Sequence, residues 1–385
     1  MTSPRSGSPQ KVLIVGGGAI GCALARELAG RGAAVTVLER AAPGAEASGA
    51  AAGLIAPQAE GLPHGPLFDL AVESRRLYPA WCEGLERETG VSVGWRAAGV
   101  LRCDLDGSSD FRPYLSHREP GFPVEEVDGD RIHDITGGLA ASAARRGVFF
   151  PRDGSVDPRL LTRALWIAAQ TRGVRFALGA TATRFLVRQN RCLGVETDQG
   201  TFEADAVVDA AGAWAAFDPE NAPTPVRPVR GQIVRLSAQP PLLPCVVQSA
   251  EVYIVPRADG SLLLGSTEED VGFRKQVTAE AVAALCDAAF RLVPSLREAE
   301  FAEAWSGLRP ASPDGQPILG ASDIPRLFFA AGHFRNGILL APVTALRVAE
   351  AILGPSSREL RPFSADRFQT QRNMSGQPGK HEVFG

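Results

Sequence analysis

Lysine is scarce in this sequence: only Lys11, Lys275 and Lys380 occur among 385 residues, and the formal net charge is -3. A chain without a basic surplus has no general surface for polyanions, so nucleic acid is not expected as a partner. The six cysteines are scattered, with no C-x-x-C pair and no close His/Cys spacing. The sequence therefore predicts neither a disulfide framework nor a metal site, and we expect reduced thiols that lie mostly in the core.

Long apolar runs are also missing. No stretch approaches the roughly 18 apolar residues that a membrane-spanning helix requires, and the opening MTSPRSGSPQ lacks the apolar core of a signal peptide. We therefore expect a cytoplasmic protein without membrane contact. The polar ends, residues 1–10 and 372–385, are expected to be flexible tails.

The composition is that of a globular protein, 45% hydrophobic and 22% charged. A chain of this length can bury a large core and predicts two domains, or one domain with a substantial insertion. Neither property indicates a particular chemistry.

The first chemical signal is the stretch KVLIVGGGAIGCALARELAGRGAAVTVLER. Residues 12–15 form a short apolar strand, glycines follow, and apolar residues then recur at helical spacing before a second strand that ends at Glu39. In a dinucleotide fold, Gly16 allows the tight turn, Gly18 lets the pyrophosphate approach the helix N-terminus, and Gly21 permits close helix packing. Glu39 would accept hydrogen bonds from the adenosine ribose. The pattern predicts nucleotide binding rather than a plain strand-to-helix turn, but it does not separate NAD from FAD.

Further blocks of the sequence resemble one family. Small residues crowd EASGAAAGLIAPQAE directly after the second strand, and the chain also contains PVRGQIV, YIVPRADGSLLLGSTEEDVGF, WSGLRPASPDGQPILG and GHFRNGILLAP. From Lys11 to about Gly354 the sequence is similar to the flavin amine oxidases that include D-amino-acid oxidase and sarcosine oxidase, and it is most similar to the glycine oxidases of thiamine biosynthesis. The resemblance selects FAD as the cofactor, and no attachment motif indicates a covalent flavin.

The resemblance implies an α/β fold. A discontinuous Rossmann-like FAD-binding domain, residues 11–85, 146–225 and 301–354, would hold an inserted α+β domain with an antiparallel sheet for the substrate, residues 86–145 and 226–300. The sequence agrees with this arrangement. A helix capped by Asp157 with Pro158 in its first turn, a buried strand over 206–208, and helices over 278–293 and 338–353 are predicted. A hairpin turns at Asp259-Gly260 with a sequence that suits a type I′ connection.

An amino-acid oxidase needs a clamp for the substrate carboxylate, and a bidentate arginine suits that role. Arg309 is one candidate, expected in a strand-end loop beside the flavin, with a surface or interdomain salt bridge as the alternative. Tyr253 could donate its hydroxyl to the same carboxylate or could be a half-buried core tyrosine. The resemblance places both in the substrate pocket.

Arg335 stands among glycines and aliphatic residues at the start of the last helix. An unpaired guanidinium is costly to bury, so we expect it to meet the anions of cofactor and substrate, or else to turn to solvent. The N–H groups of this helix would face the flavin pyrimidine edge. His333 is expected to position the backbone rather than act as a base. Glu251 could meet the substrate amine, pair with an arginine, or lie at the solvent rim, and the rim is the favoured position.

The residues expected to contact FAD combine the glycine fingerprint with those that the resemblance implies. They are Gly16, Gly18, Ala19, Ile20, Gly21, Glu39, Arg40, Ala47, Ser48, Ala52, Gly53, Leu54, Thr183, Gly212, His333, Phe334, Arg335, Asn336, Gly337, Ile338 and Leu339.

The implied reaction is FAD-dependent oxidation of glycine or another small amino acid by hydride transfer to flavin N5. The products would be glyoxylate or a 2-oxo acid, ammonia and hydrogen peroxide, with dioxygen as acceptor and a link to thiazole formation. A D-amino-acid or sarcosine oxidase, a quinone-linked dehydrogenase, an RNA-modifying flavoprotein and a noncatalytic nucleotide-binding module remain as alternatives. A homotetramer is implied by the resemblance alone.

Overall fold

A computed structural model describes residues 9–116, 122–218, 220, 224–238, 243–354 and 358–368. Except for residues 9 and 10, the predicted tails 1–10 and 372–385 lie outside these ranges. The described strands are β1 (Lys11–Val15), β2 (Ala34–Glu39), β3 (Leu54–Ile55), β4 (Val100–Asp104), β5 (Glu125–Asp128), β6 (Arg146–Phe150), β7 (Gly154–Ser155), β8 (Arg175–Leu178), β9 (Ala182–Arg188), β10 (Arg191–Thr197), β11 (Gly200–Glu203), β12 (Ala206–Asp209), β13 (Arg227–Ser237), β14 (Val246–Gln248), β15 (Tyr253–Pro256), β16 (Ser261–Gly265), β17 (Glu300–Ala311), β18 (Ile318–Ala321) and β19 (Leu327–Ala331).

The described α-helices are α1 (Ala19–Gly30), α2 (Ala47–Ala50), α3 (Pro66–Thr89), α4 (Arg112–Leu115), α5 (Gly129–Thr136), α6 (Pro158–Thr171), α7 (Ala279–Leu292) and α8 (Gly337–Leu353). Short 3-10 segments cover Gly212–Trp214, Pro294–Glu298, Arg358–Phe363 and Ala365–Phe368. Within the described ranges, no helix is long and apolar enough to cross a bilayer.

The first sheet has six strands in the order β18-β19-β12-β1-β2-β8. All neighbours are parallel except the edge strand β18, which is antiparallel. Alternate residues of β1 face opposite sides, so Val12 and Ile14 pack with helices α1, α6 and α8, whereas Leu13 and Val15 pack towards β9 and β10. Burial on both faces explains why β1 and β12 are continuous apolar runs.

The second sheet has eight strands in the order β17-β13-β16-β15-β14-β4-β6-β5. Its pairs are antiparallel apart from the parallel pair β14 and β4. One face packs on α7, where Ile254 and Leu264 share a core with Leu285. The opposite face, which includes Val246 and Val255, shares a core with Ala52, Ala56 and Ala59. The α/β class and the antiparallel second sheet are as predicted.

Two predicted domain boundaries do not follow the sheets. β6 pairs with β4 and β5, and β17 pairs along its length with β13, so both strands belong to the eight-stranded sheet. The boundaries predicted at 146 and 301 assigned them to the FAD-binding domain and are wrong for these strands. β17 is followed by β18 of the six-stranded sheet, and β6 is followed by β7 and then α6, which packs with α1. Each predicted boundary therefore lies close to the point where the chain leaves the eight-stranded sheet. The division into two domains itself stays a prediction.

The start signal predicted for α6 is present, and α7 begins at Ala279, one residue after the predicted start of that helix. Asp157 accepts hydrogen bonds from the backbone N–H groups of Arg159 and Leu160, and Pro158 is the first helical residue. Thr278 caps α7 by accepting from the N–H of Ala281. These signals lie within one turn of the helix they begin, so no tertiary contact is needed to predict them.

The turn type predicted for the hairpin of β15 and β16 is wrong. A type I′ turn needs positive φ at both central residues, but in this connection only Gly260, at φ 84°, has it. The N–H of Gly260 bonds to Arg257 and that of Arg257 to Ser261. The longer connection lets Asp259 keep an ordinary backbone and accept from the Ser261 N–H.

The six cysteines are free, and all except Cys286 are buried. The described part of the chain contains no group of His, Cys, Asp and Glu side chains suited to a metal ion.

Candidate active site

A tight turn joins β1 to α1. Gly16 has φ +105°, and a Cβ there would lie 2.4 Å from the carbonyl oxygen of Ala210. A Cβ at Gly21 would lie 1.9 Å from the carbonyl oxygen of Gly16, so the helix approaches the turn as closely as backbone allows. These contacts explain why glycine is needed at both positions and leave the N-terminus of α1 open towards a ligand.

Side chains from neighbouring loops complete this glycine cradle. The hydroxyl of Ser48 accepts from the N–H of Ala19 at 2.9 Å, at the start of α1. The carboxylate of Glu39, at the end of β2, accepts from the N–H of Gly17 and of Ala41, each at 2.8 Å. Oxygens bonded once in this way retain lone pairs for a ribose hydroxyl.

Arg40 lies beside Glu39 and stacks on an aromatic ring. Its guanidinium carbon is 3.6 Å from the ring centroid of Trp214, and it pairs with Glu46 at 2.7 Å. A flat, cationic surface therefore borders the end of the cradle where the adenosine would lie. The sequence predicted Arg40 but gave no sign of Trp214, which arrives from a 3-10 segment far along the chain.

A cavity of about 510 Å³ runs from this cradle to the inner face of the eight-stranded sheet. It is lined by most of the predicted cofactor residues, namely Gly16, Gly18, Ala19, Ile20, Glu39, Arg40, Ala47, Ser48, Ala52, Gly53, Leu54, Gly212 and all seven residues from His333 to Leu339. Gly21 is not part of the lining but supports it from behind.

Thr183 does not line the cavity, so the contact predicted for its side chain is not supported. Its hydroxyl donates to the carbonyl of Glu196, across the β9–β10 pair. Thr181 and Ala182, at the start of β9, line the cavity instead. Successive strand residues face opposite sides of a sheet. Predicting Thr183 instead of Ala182, an error of one position, therefore selects the side chain on the wrong face.

Arg309 lies on the wall opposite the cradle, within β17 rather than in the predicted loop. The following Pro310 does not end the strand because β17 lies at the edge of the sheet, with β13 as its neighbouring strand. Nη1 donates to the carbonyls of Thr267 at 3.0 Å and Arg230 at 3.4 Å, and Nη2 donates to the hydroxyl of Ser266 at 2.6 Å. Three of the five guanidinium donors are thus used, and two remain for a carboxylate.

Glycines make room for the two predicted substrate residues. A Cβ at Gly231 would lie 2.3 Å from Nη1 of Arg309, and one at Gly265 would lie 2.4 Å from the hydroxyl oxygen of Tyr253. Tyr253 and Arg309 both line the cavity. Burial raises the pKa of Tyr253, and the positive charge of Arg309 is the first influence that opposes it. The phenol therefore stays protonated at neutral pH and can donate a hydrogen bond.

Arg335 has carboxylate partners that the sequence did not predict. Its guanidinium lies 3.6 Å from Glu60 and 3.8 Å from Glu268, with the side chain 49% exposed. The expected partners were the anions of cofactor and substrate. Arg335 lines the cavity at its rim, so it can still attract an incoming carboxylate, but two glutamates already balance its charge.

His333 is buried and its Nε2 lies 3.1 Å from the hydroxyl of Thr344 on α8. Burial lowers its pKa to about 3, so the imidazole is neutral at neutral pH and is a weak base. The predicted positioning role agrees with this geometry. Glu251 is ion-paired with Arg291 of α7, and its side chain is 54% exposed, which places it at the rim, as favoured.

The cradle fits a dinucleotide with a flavin. Glycine backbone and the N-terminus of α1 offer N–H groups to a pyrophosphate, Glu39 offers acceptors to a ribose, and small residues from Ala47 to Gly53 leave space along the cavity. The fold and the site together define a dinucleotide-binding protein in which a second sheet faces the cradle across the cavity.

Comparison with known proteins specifies the family. Residues 11–351 match the family model described as FAD dependent oxidoreductase, and the chain belongs to this family. A solved structure of glycine oxidase from Geobacillus kaustophilus superposes with a TM-score of 0.87 at 36% identity, covering 92% of this chain and 98% of that one. The glycine oxidase sequence from the same organism is 38% identical over 365 residues, which cover 92% of this chain and 96% of that protein.

A longer relative is also similar. The "Bifunctional protein ThiO/ThiG" of Trichormus variabilis is 40% identical over 369 residues, 94% of this chain but 56% of that protein. The chain thus spans just over half the length of such relatives.

Proposed function

We propose that the protein oxidises glycine or another small amino acid with FAD, releasing glyoxylate or a 2-oxo acid, ammonia and hydrogen peroxide. The observation that carries the proposal is Arg309. This guanidinium faces the cavity with two donors unused, beside the phenol of Tyr253 and across from the cradle. That is the arrangement needed to hold a carboxylate while the adjoining carbon faces the cofactor.

The name and length of one relative support glycine as the substrate. The Geobacillus protein named glycine oxidase is matched over 96% of its length. The clamp also favours a compact substrate, because the hydroxyl of Ser266 lies within hydrogen-bonding reach of both Arg309 and Tyr253. FAD, when bound, supplies the two-electron chemistry that takes a hydride from the α carbon and reduces dioxygen.

The side chains of this protein bind and orient rather than move protons. Arg309 would hold the carboxylate through parallel charge-assisted hydrogen bonds, and Tyr253 would donate a third. Oxidation of a neutral amine by loss of hydride needs no protein base, which agrees with a neutral, buried His333. The first N–H groups of α8 would stabilise negative charge at the cofactor edge.

A link to thiamine biosynthesis forms part of the proposal. It is supported by the relatives named ThiO/ThiG, of which this chain matches about half. The cytoplasmic location and the homotetramer also stay predictions.

The decisive experiment is anaerobic mixing of the FAD-loaded protein with glycine, sarcosine, D-alanine and D-proline while the flavin absorption band is recorded. We expect glycine to bleach the band and air to restore it with release of hydrogen peroxide. A colourless protein, or a flavin that no amine reduces, would contradict the proposal. Fastest reduction by D-alanine or D-proline would favour a D-amino-acid oxidase, and reduction without peroxide would favour a quinone-linked dehydrogenase.

A further inference from the structure

The cavity lining contains as many glutamates as arginines, but the two kinds of side chain are not all paired with each other. The four arginines are Arg40, Arg102, Arg309 and Arg335. Arg40 and Arg335 form the ion pairs with glutamates described above. Among the residues that the structure describes, Arg102 and Arg309 have no carboxylate partner. One substrate carboxylate would neutralise the charge of Arg309. Arg102 is then a second cation of the cavity lining, and a further anion would be needed to neutralise it.

Arg102 lies on the same face of the sheet as the proposed clamp. It is opposite Gln248 on β14, and Gln248 is opposite Tyr253 on β15. Residues in register on neighbouring strands point to the same side, and two strand spacings separate the backbones of Arg102 and Tyr253 by roughly 10 Å. The two cations therefore face one cavity from positions that a short molecule can bridge.

The ring of Tyr114 packs against the guanidinium of Arg102. The guanidinium carbon lies 4.8 Å from the centroid of its ring, and Tyr114 also lines the cavity. The ring fixes the guanidinium without neutralising it, because a cation–π contact uses the flat face and leaves the N–H edge free. A half-buried guanidinium in this state favours an anionic ligand.

The cofactor does not account for this anion. The pyrophosphate is expected at the N-terminus of α1, on the six-stranded sheet, where the glycine turn offers backbone N–H groups. Arg102 belongs to β4 in the middle of the other sheet. Its neighbours Gln248 and Tyr114 line the cavity on the side where the substrate clamp lies.

We propose that Arg102 and Tyr114 form a second anion subsite, so that the enzyme also takes amino acids with a second carboxylate. This inference rests on the proposed function, because the first carboxylate is held by Arg309. Iminodiacetate represents the class. Oxidation would break one C–H bond beside nitrogen and pass two electrons to dioxygen, and water would hydrolyse the C=N bond. The products would be glyoxylate, glycine and hydrogen peroxide.

Binding without turnover tests the subsite directly. Diglycolate has two carboxylates and no amine, and methoxyacetate has the same skeleton with one carboxylate. Both are titrated into the FAD-loaded protein while the flavin spectrum is recorded. We expect diglycolate to bind at least about 10-fold more tightly, as one additional charge-assisted contact provides. In Arg102→Met this advantage should fall below about 2-fold, and Arg102→Lys should keep part of it.

The control is Arg112→Met, which removes an arginine on α4, the helix of Tyr114. Its side chain is 89% exposed and pairs with Asp110, so the diglycolate advantage should not change. Equal affinities in the parent protein, or an advantage that survives in Arg102→Met, would overturn the proposal.

Turnover gives a second readout. The ratio of kcat/KM for iminodiacetate to that for N-ethylglycine should drop at least about 10-fold in Arg102→Met. An unchanged ratio would overturn the subsite. If no amine reduces the flavin, the proposed function fails, but the diglycolate comparison still tests Arg102.

Discussion

The two walls of the cavity use different parts of the polypeptide. On the six-stranded sheet, the ligand surface consists mainly of backbone around Gly16 and the start of α1, with Glu39 as the main carboxylate. On the eight-stranded sheet, it consists of long side chains, above all Arg309 and Tyr253, for which glycines make room. A methyl group added to the backbone wall would collide with neighbouring backbone atoms. A substitution in the side-chain wall would instead remove one specific contact and leave the others in place. The variants below test this contrast.

The largest effect is expected at Gly21. In Gly21→Ala the new Cβ would meet the carbonyl oxygen of Gly16 at 1.9 Å, and α1 must move away from the turn. FAD affinity should fall at least about 100-fold, measured by titration of apoprotein. Circular dichroism separates loss of cofactor from loss of fold. The control Gly84→Ala, whose added Cβ would meet only Nη2 of Arg26 at 3.9 Å and needs no left-handed backbone, should keep the flavin. A fully yellow Gly21→Ala protein would contradict the backbone role.

Arg309→Met should leave the backbone wall intact. We expect normal flavin content and a kcat/KM for glycine that is lower by roughly 1,000-fold, since two charge-assisted hydrogen bonds to the carboxylate are lost. Stopped-flow reduction gives the rate and the apparent affinity separately. Arg309→Lys keeps the charge but loses the fork and should recover only part of the activity. Unchanged reduction kinetics would remove Arg309 from the site.

Gly231→Ala changes a backbone position that makes room for a side chain, the guanidinium of Arg309. Its Cβ would lie 2.3 Å from Nη1 of Arg309, so the guanidinium must shift. We expect a 10- to 100-fold lower kcat/KM with FAD affinity unaltered, because misplacing a clamp is less severe than removing it. Gly129→Ala, whose added Cβ would lie 3.7 Å from the nearest atom, the Cα of Arg145, is the control. Equal activity of the two variants would show that Arg309 need not hold its observed position.

The smallest effect concerns Glu269, which supports the side-chain wall. Burial opposes its ionisation, but hydrogen bonds from Arg230, Thr267 and Gln232 outweigh this and lower its pKa to about 2. A lowered pKa means that the stabilisation is present above about pH 4.5 and is lost as the pH falls towards 2. Between pH 6 and pH 3, the parent protein should lose roughly 1–2 kcal/mol more unfolding free energy than Glu269→Gln.

Urea titrations at both pH values measure this difference. The exposed Glu298 provides the control, and Glu298→Gln should behave like the parent protein. Identical pH dependence in Glu269→Gln and the parent would mean that Glu269 is not held by this network.

The sequence predicted the backbone wall better than the side-chain wall. The turn at Gly16, the helix after it and Glu39 follow one another closely in the sequence. Local residue spacing was therefore sufficient to predict them. Thr183 was missed by one position, because the facing of a strand residue depends on its register. The likeness of the quoted blocks to a known family supplied Arg309 and Tyr253, and it would not have been available from periodicity alone.

Long-range pairing accounts for the remaining differences. Glu60 and Glu268 are separated from Arg335 by at least sixty residues in the chain but meet it at the cavity rim. Arg309 was expected in a loop, since Pro310 usually ends a strand, and only the sheet order shows that β17 is an edge. The lack of a carboxylate partner for Arg102 among the described residues depends on tertiary contacts, which local sequence patterns do not predict.

The order of strands in the six-stranded sheet bears on how the chain is made. β1 forms hydrogen bonds with β12, almost two hundred residues later, and α1 packs against α8, which ends at Leu353. α6 covers part of the apolar side of α1, and the rest stays uncovered until α8 has been synthesised. Flavin capture should then follow the synthesis of α8, whose first residues also line the cavity.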